Sequence, residues 1–161
     1  EQDKYFIENI IKYKPNGLFL EIGGYDGITG SNTYFLEKNL GWNGIIVECN
    51  PTLVEKCKNT RSCYICDKAL YESKDIIVKT ININTLLESH KIYNIDYVSL
   101  DVEGGELSIL KTWNFNKHKV KFLTIGHGNI AHYQKSINEL LTNKGFILHR
   151  NNKWNDEYIY I

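Results

Sequence analysis

Short apolar runs alternate with helical segments along most of this chain. The first run, "GLFLEIGG" at 17–24, is apolar almost throughout, as expected for a strand that is covered on both faces of a parallel sheet. Further strands are predicted at 44–48, 63–66, 96–102 and 120–125, with a short extended piece at 75–79. Helices are predicted at 3–13, 31–40, 51–59, 84–91, 105–112 and 131–143. Strands joined by helices lie parallel, so the pattern predicts one parallel sheet between helical layers.

The end of the chain breaks this pattern. The runs "GFILHR" and "DEYIYI" are separated only by "NNKWN", which is too short for a helical crossover, so they form an antiparallel hairpin. The sequence therefore predicts an α/β fold, a three-layer α/β/α sandwich whose sheet carries one reversed strand near its edge. The length of 161 residues fits a single domain over 1–161.

Charge and hydropathy exclude two classes of partner. Nineteen basic and nineteen acidic residues cancel, so no global field attracts nucleic acid or an anionic membrane. No apolar run approaches the roughly 20 residues that a membrane-spanning helix needs. We expect a soluble, cytoplasmic protein, and the sequence indicates no oligomeric state. The chain begins at Glu1 without a methionine, so a fragment of a longer chain and an upstream targeting segment stay open alternatives.

Four cysteines, at positions 49, 57, 63 and 66, lie in one short region, and "CYIC" has the spacing of a zinc knuckle or a redox pair. If this stretch is a strand, the side chains of Cys63 and Cys66 point to opposite faces and cannot share a metal ion. We therefore expect buried or half-buried free thiols.

The segments that follow the predicted strands are rich in glycine and carboxylates, and ligands of such sheets bind at the carboxyl ends of the strands. Gly23, Gly24 and Gly27 allow the backbone to come close to a ligand. No lysine accompanies them as it would in a phosphate-binding loop. Glu21 and Asp26 would instead repel a pyrophosphate and attract a cation, such as the amino group or the sulfonium of S-adenosylmethionine.

Glu48 ends the second predicted strand, where a carboxylate can accept hydrogen bonds from both hydroxyls of a ribose. An NAD enzyme would share this residue, but the length of the chain and its terminal hairpin favour the methyl donor. The plainer interpretations are that the glycines only mark a turn and that Glu48 caps a helix.

Three stretches together carry a family resemblance. "FLEIGGYDGITGSNTYFLEKNLGWNGIIVECNP", "IDYVSLDVEGGELSILKTWNF" and the closing "LLTNKGFILHRNNKWNDEYIYI" resemble the FkbM-type branch of the class I S-adenosylmethionine-dependent methyltransferases. The resemblance covers most of the chain. It implies a Rossmann-like seven-stranded sheet, S-adenosylmethionine as the methyl donor, and O-methylation of a hydroxyl on a sugar or another small molecule.

The resemblance also implies site residues, most of which follow strands. The loop after the first strand would contain Glu21, Gly23, Gly24, Asp26 and Gly27, with Ser31 and Asn32 near the methionine end of the cofactor. Glu48 would bind the ribose, Asn50 and Asp67 would border the adenine, and Asp101 would close the methionine side. Glu103 and Glu106 would face the substrate crevice.

A hydroxyl that accepts a methyl group also needs a proton acceptor. His127 is the first candidate, and Asp101 or Glu103 could serve if burial raises their pKa. The plainer interpretation of His127 is a loop histidine with satisfied hydrogen bonds. Asp101, Glu103 and Glu106 also offer oxygen ligands for a divalent cation such as Mg²⁺, which would acidify a substrate diol.

Two departures from the family pattern support a second hypothesis. Gly126 stands where an acidic residue is expected before His127, and the segment between Leu70 and "NTLLE" is short. A methyltransferase-fold module that binds a partner without catalysis would tolerate both. RNA methylation is a third hypothesis, which the lack of a basic tract with interleaved aromatics disfavours. Aromatic side chains such as Tyr133 and Trp154 could stack on a sugar, although packing is their plainer role.

Overall fold

The computed structural model of the chain describes residues 2–70 and 79–161, and for residues 2 and 3 the backbone alone. The strands are β1 (Leu18–Ile22), β2 (Asn43–Val47), β3 (Tyr64–Cys66), β4 (Ala69–Leu70), β5 (Thr80–Ile81), β6 (Asn94–Leu100), β7 (Lys119–Gly126), β8 (Phe146–Asn151) and β9 (Asn155–Tyr160). The helices are α1 (Gln2–Tyr5), which continues as a π-helix over Phe6–Ile10, α2 (Tyr34–Leu40), α3 (Pro51–Thr60), α4 (Ile83–Ser89), α5 (Glu106–Thr112) and α6 (Ala131–Thr142). The extended piece predicted at 75–79 lies outside the described residues except for its last position.

Seven strands form one sheet in the order β3-β2-β1-β6-β7-β9-β8. All neighbours are parallel except β9, which runs antiparallel to both β7 and β8. The predicted sheet with one reversed strand near its edge is therefore confirmed. The strand order changes direction between β1 and β6, which pair through Phe19 and Tyr97, so the carboxyl ends of these strands meet at the topological switch point.

Two apolar clusters cover the two faces of the sheet and confirm the three layers. On one face, buried residues of α4, α5 and α6 pack on strand residues such as Leu20 and Leu123. On the other face, the N-terminal helix, α2 and α3 pack on strand residues such as Phe19 and Tyr97. Because both faces are covered, the central strands are mostly apolar, and the charged residues of β6 and β7 lie near the strand starts.

Three of the four cysteines are buried, as predicted, and one is not. Cys63 and Cys66 lie in different apolar clusters, on opposite faces of the sheet, as predicted. Cys57 is also buried, but Cys49 is exposed, because it follows β2 at the open edge of the sheet. The prediction of a buried or half-buried thiol is thus wrong for Cys49. Burial, with the Glu37 carboxylate beside the thiol, raises the pKa of Cys63 to about 12, which keeps it protonated.

Helix α2 begins three positions later than predicted, at Tyr34. The side chains of Ser31 and Thr33 hydrogen-bond to Glu21 of β1, and this tertiary contact holds the preceding residues in a loop. Within the described ranges, no helix is long and apolar enough to cross a membrane.

The central strand β7 offers a test of the core. Leu123 is fully buried between the paired residues Val98 of β6 and Tyr158 of β9. We expect Leu123→Ala to lower the free energy of unfolding by about 2–5 kcal/mol, because it leaves a cavity in a packed core. Lys119→Ala, at an exposed position of the same strand, should change it by less than about 0.5 kcal/mol. Urea denaturation measures both, and equal effects would contradict this packing.

Candidate functional site

Two neighbouring cavities open at the carboxyl edge of the sheet. The first, of about 710 Å³, lies between the loops that follow β1, β2, β3 and β6. The second, of about 540 Å³, lies between the loops after β6 and β7, the start of α6 and the β8–β9 turn. Asp101 and Glu103 line both cavities, so the loop after β6 is their common wall.

The loops after β1 and β6 touch at the switch point. Gly23 has a φ of +90°, and a Cβ atom there would lie 1.8 Å from the carbonyl oxygen of Asp101. The Asp101 amide in turn donates to the Ile22 carbonyl at 2.9 Å. Only glycine fits this crossing, which accounts for the break in the apolar run at the end of β1.

The carboxylate of Glu21 is buried beneath the loop after β1. It accepts hydrogen bonds from the Ser31 hydroxyl at 2.9 Å, the Asn32 amide at 3.0 Å and the Thr33 hydroxyl at 2.6 Å. Burial raises the pKa of Glu21, and these hydrogen bonds and the nearby Arg61 oppose the rise. Glu21 therefore anchors the loop and does not line either cavity.

Arg61, at the end of α3, completes this anchor. Its buried guanidinium donates to Glu37 Oε2 at 2.7 Å, to the Gly27 carbonyl at 3.0 Å and to the Thr33 hydroxyl at 2.8 Å. It lies 3.5 Å from Glu21 Oε2. No motif of the sequence indicated Arg61, because its partners come from distant segments.

The remaining predicted residues of this loop also shape it. Asp26 accepts hydrogen bonds from the amides of Ile28 and Thr29 and from the Thr29 hydroxyl, which lower the pKa of Asp26. Of the residues predicted in this loop, Gly23 lines the first cavity, and the following do not: Glu21, Gly24, Asp26, Gly27, Ser31 and Asn32.

Glu48 lines the first cavity beyond the end of β2. Its carboxylate accepts from the Tyr25 amide at 2.9 Å and from the Asn50 amide at 2.9 Å, which leaves further lone pairs for a ligand. Asn50 caps α3 by accepting from the Thr52 amide, and neither Asn50 nor Asp67 is among the lining residues. The neighbouring Lys68 lines the cavity and was not predicted.

Two lining residues hold an unusual backbone conformation. Tyr25 has a φ of 49° and Glu103 a φ of 53°, and both line the first cavity. Left-handed backbone at residues other than glycine is strained and concentrates at ligand sites. Tyr25 lies within the glycine-rich loop, and this position was the signal from which its role could have been predicted.

Packing against Asp101 explains why a glycine stands at position 126. A Cβ atom there would lie 2.7 Å from Asp101 Oδ1, so glycine leaves the space that the Asp101 carboxylate occupies. An acidic residue in this place would collide with it and repel it. Partial burial raises the pKa of Asp101, and the charges of Glu106 and Glu103 raise it further.

Glu106 is committed to the loop that separates the cavities. Its Oε1 accepts from the Val102 amide at 2.8 Å, and its Oε2 accepts from the Gly104 amide at 3.0 Å and the Tyr133 hydroxyl at 2.8 Å. It lines the second cavity, but these contacts already use both oxygens. In the part of the chain that the structure describes, no group of three or more His, Cys, Asp or Glu side chains is arranged to hold a metal ion. The alternative of a divalent cation thus gains no support.

His127 lines the second cavity and is buried. Its Nε2 lies 3.5 Å from Asp156 Oδ1 of β9, and neither ring nitrogen has a hydrogen-bond partner among the described residues. The interpretation of His127 as a loop histidine with satisfied hydrogen bonds is wrong on this geometry. Of the terminal-hairpin residues at this site, the lining residue Trp154 was predicted as an aromatic that could stack on a sugar, whereas Asp156 and the lining residue Asn155 were not predicted.

The contribution of the buried Arg61 guanidinium to the stability of this anchor can be tested directly. Arg61→Met should lower the free energy of unfolding by about 3–5 kcal/mol, because it leaves Glu21 and Glu37 buried without their cation. Lys58→Met, three residues earlier on α3, removes an exposed pair with Glu55 and should cost less than about 1 kcal/mol. Chemical denaturation measures both. A small loss for Arg61→Met would mean that the loop is held by other contacts.

Comparison with known proteins places this geometry in a family. The model of the methyltransferase FkbM domain matches residues 67–148, just over half of the chain. No curated protein sequence matches.

Solved structures share the fold at low sequence identity. The methyltransferase FkbM from Methylobacillus flagellatus KT has a TM-score of 0.64 and 17% identity, over 99% of this chain and 48% of that one. Fibrillarin from Aeropyrum pernix, with natively bound S-adenosyl-L-methionine, has a TM-score of 0.63 and 12% identity, over 91% of this chain and 67% of that one. The METTL16 methyltransferase domain has a TM-score of 0.64 and 13% identity, over 99% of this chain and 65% of that one. The present chain thus spans about half the length of the M. flagellatus protein.

The expected seven-stranded Rossmann-like sheet of the class I methyltransferases is therefore confirmed. Together with the match of the family model, this fold shows that the chain belongs to the FkbM methyltransferase domain family.

Proposed function

We propose that this chain binds S-adenosylmethionine in the first cavity and methylates a hydroxyl of a small molecule, a sugar, in the second. The observation that carries the proposal is the common wall. Asp101 and Glu103 line both cavities at the switch point, so a methyl donor in one would border an acceptor in the other.

The residues of the first cavity fit the methyl donor. Its volume of about 710 Å³ suits a ligand of this size. Glu48 would accept hydrogen bonds from the ribose, while Asp101 and Glu103 would face the positively charged methionine part. Lys68 is the one Lys or Arg that the described residues contribute to this lining, so the cavity favours a cation over a pyrophosphate.

Methyl transfer requires the protein mainly to align the acceptor oxygen with the methyl group. When bound, S-adenosylmethionine supplies an electrophilic methyl group, and the attacking oxygen must approach it in line to about 3 Å. The walls of the second cavity orient the acceptor and exclude water. Among the side chains at this cavity, His127, Asp101 and Glu103 can accept the hydroxyl proton.

The second cavity fits a neutral sugar. Trp154, Tyr133 and Ile130 offer apolar surface, while Asn155 and the carboxylates offer hydrogen bonds to hydroxyls. No Lys or Arg of the described residues lines this cavity, so it has little to offer the phosphates of RNA. The packing of Gly126 against Asp101 also gives a structural explanation for one of the two departures that support the hypothesis of a module without catalysis.

Binding of the methyl donor is the first test. Calorimetric titration with S-adenosylmethionine and S-adenosylhomocysteine should give micromolar affinity, unchanged by Mg²⁺. Glu48→Gln should weaken binding about tenfold or more, because it removes a charged acceptor from the ribose site. Glu55→Gln, on the exposed face of α3, is the control and should bind as the wild type does. No binding by the wild-type protein would refute the proposal and favour the partner-binding module.

The acceptor class has its own test. A screen of mono- and disaccharides with isotope-labelled S-adenosylmethionine should yield an O-methylated sugar. Trp154→Ala should reduce the transfer to that sugar roughly fivefold, since one aromatic contact contributes about 1 kcal/mol. Phe35→Ala, an exposed aromatic outside both cavities, should leave it unchanged. Methylation of RNA, but of no sugar, would refute this acceptor class.

A further inference from the structure

We propose that Asp156 is a positioning residue that fixes the tautomer of His127, so that this imidazole can take the proton of the acceptor hydroxyl. The inference rests on the proposed function and deepens it. It starts from a buried pair: His127 Nε2 lies 3.5 Å from Asp156 Oδ1, and the two side chains are 3% and 2% exposed. Charged and polar groups interact strongly in such a water-poor place.

Contacts from two elements hold the carboxylate of Asp156. Gln134 Nε2 of α6 donates to its two oxygens, at 3.0 and 3.1 Å. The Tyr158 hydroxyl lies 3.3 Å from Oδ2 and donates to it. Burial raises the pKa of Tyr158, so its hydroxyl stays a donor. The carboxylate is thus fixed independently of His127 and can orient the ring.

The imidazole itself lacks partners. Neither ring nitrogen of His127 forms a hydrogen bond within the described ranges, although both are buried. Such groups are costly unless a ligand or a small movement satisfies them, and catalytic hydrogen bonds often shorten only when substrate is present. If Nε2–H is directed to Asp156, Nδ1 keeps a free lone pair that can accept a proton.

Other titratable groups surround the same cavity, but none takes the place of Asp156. Asp101 and Glu103 come from the loop after β6, and Glu106 from the start of α5. His132 and Tyr133 of α6 complete the titratable lining. Asp156 is not a lining residue, so it would act through His127 and not on the acceptor.

The proton transfer balances in charge. As the oxygen–methyl bond forms and the sulfur–methyl bond breaks, the positive charge of the sulfonium disappears. The hydroxyl proton passes to His127, which becomes an imidazolium beside the Asp156 carboxylate. The net charge of the site stays the same, and the new cation lies against a fixed anion.

Imidazole ¹⁵N NMR spectra test the inference without any substrate. At a pH where His127 is neutral, the wild-type protein should show Nε2–H, with the signal assigned through His127→Gln. Asp156→Asn should shift the ring towards Nδ1–H, because the new amide can donate to Nε2. The control is Glu157→Gln, which alters a buried carboxylate of the same strand and should leave the tautomer unchanged. The same tautomer in wild type and Asp156→Asn would overturn the proposal.

Kinetics provide the second readout. With an acceptor in hand, Asp156→Asn should lower kcat about a hundredfold at unchanged affinity for S-adenosylmethionine, and Asp156→Glu should recover part of it. If Asp156→Asn does not fold, Gln134→Ala loosens Asp156 from α6 and should give a mixed tautomer and a smaller loss. An unchanged kcat in a folded variant would refute the role of Asp156. Failure of the wild type to bind the methyl donor would refute the proposed function alone, since the tautomer is measured without it.

Discussion

The buried guanidinium of Arg61 ties together the segments on which the first cavity depends. It joins the end of α3 to Glu37 of α2, to the end of β1 at Glu21, and to the loop between β1 and α2. Two buried carboxylates around one buried cation are stable only as a set, because each charge without its partners would be strongly destabilising. The loop that forms one wall of the cavity is therefore fixed by electrostatics as much as by its glycines.

The sequence predicted the layers, the reversed strand near the edge of the sheet and most element positions, because those features follow from local periodicity and from the short connection within the hairpin. A strand covered on both faces is mostly apolar, and β1, β6 and β7 each contain an apolar run of this kind, interrupted by only a few polar residues. The start of α2 could not be predicted in this way. Ser31 and Thr33 are suitable residues for a helix start, but the buried Glu21 recruits their hydroxyls from another element.

The site was predictable to the extent that strand ends determine it. Gly23, Glu48, Asp101 and His127 each follow or end a strand, and each lines at least one of the two cavities. The rule reaches Trp154, which follows β8, a strand that runs in the same direction as β7. Asp156 could not be found by this rule, because it lies near the start of the reversed strand β9. Position at a strand end also does not distinguish a side chain that faces the cavity from one that lies buried beneath the loop.

Hydrogen bonding separates the acidic residues of the two motifs into two groups. Glu21, Asp26 and Glu106 accept from amides and hydroxyls of their own loops, so their oxygens hold backbone in place. Asp101 is different, because desolvation and the negative charges of Glu106 and Glu103 raise its pKa. A carboxylate in this state gains stability from any cation that enters the cleft. The crowding of negative charge at the common wall thus favours a positively charged ligand over a phosphate-bearing one, before any ligand contact is made.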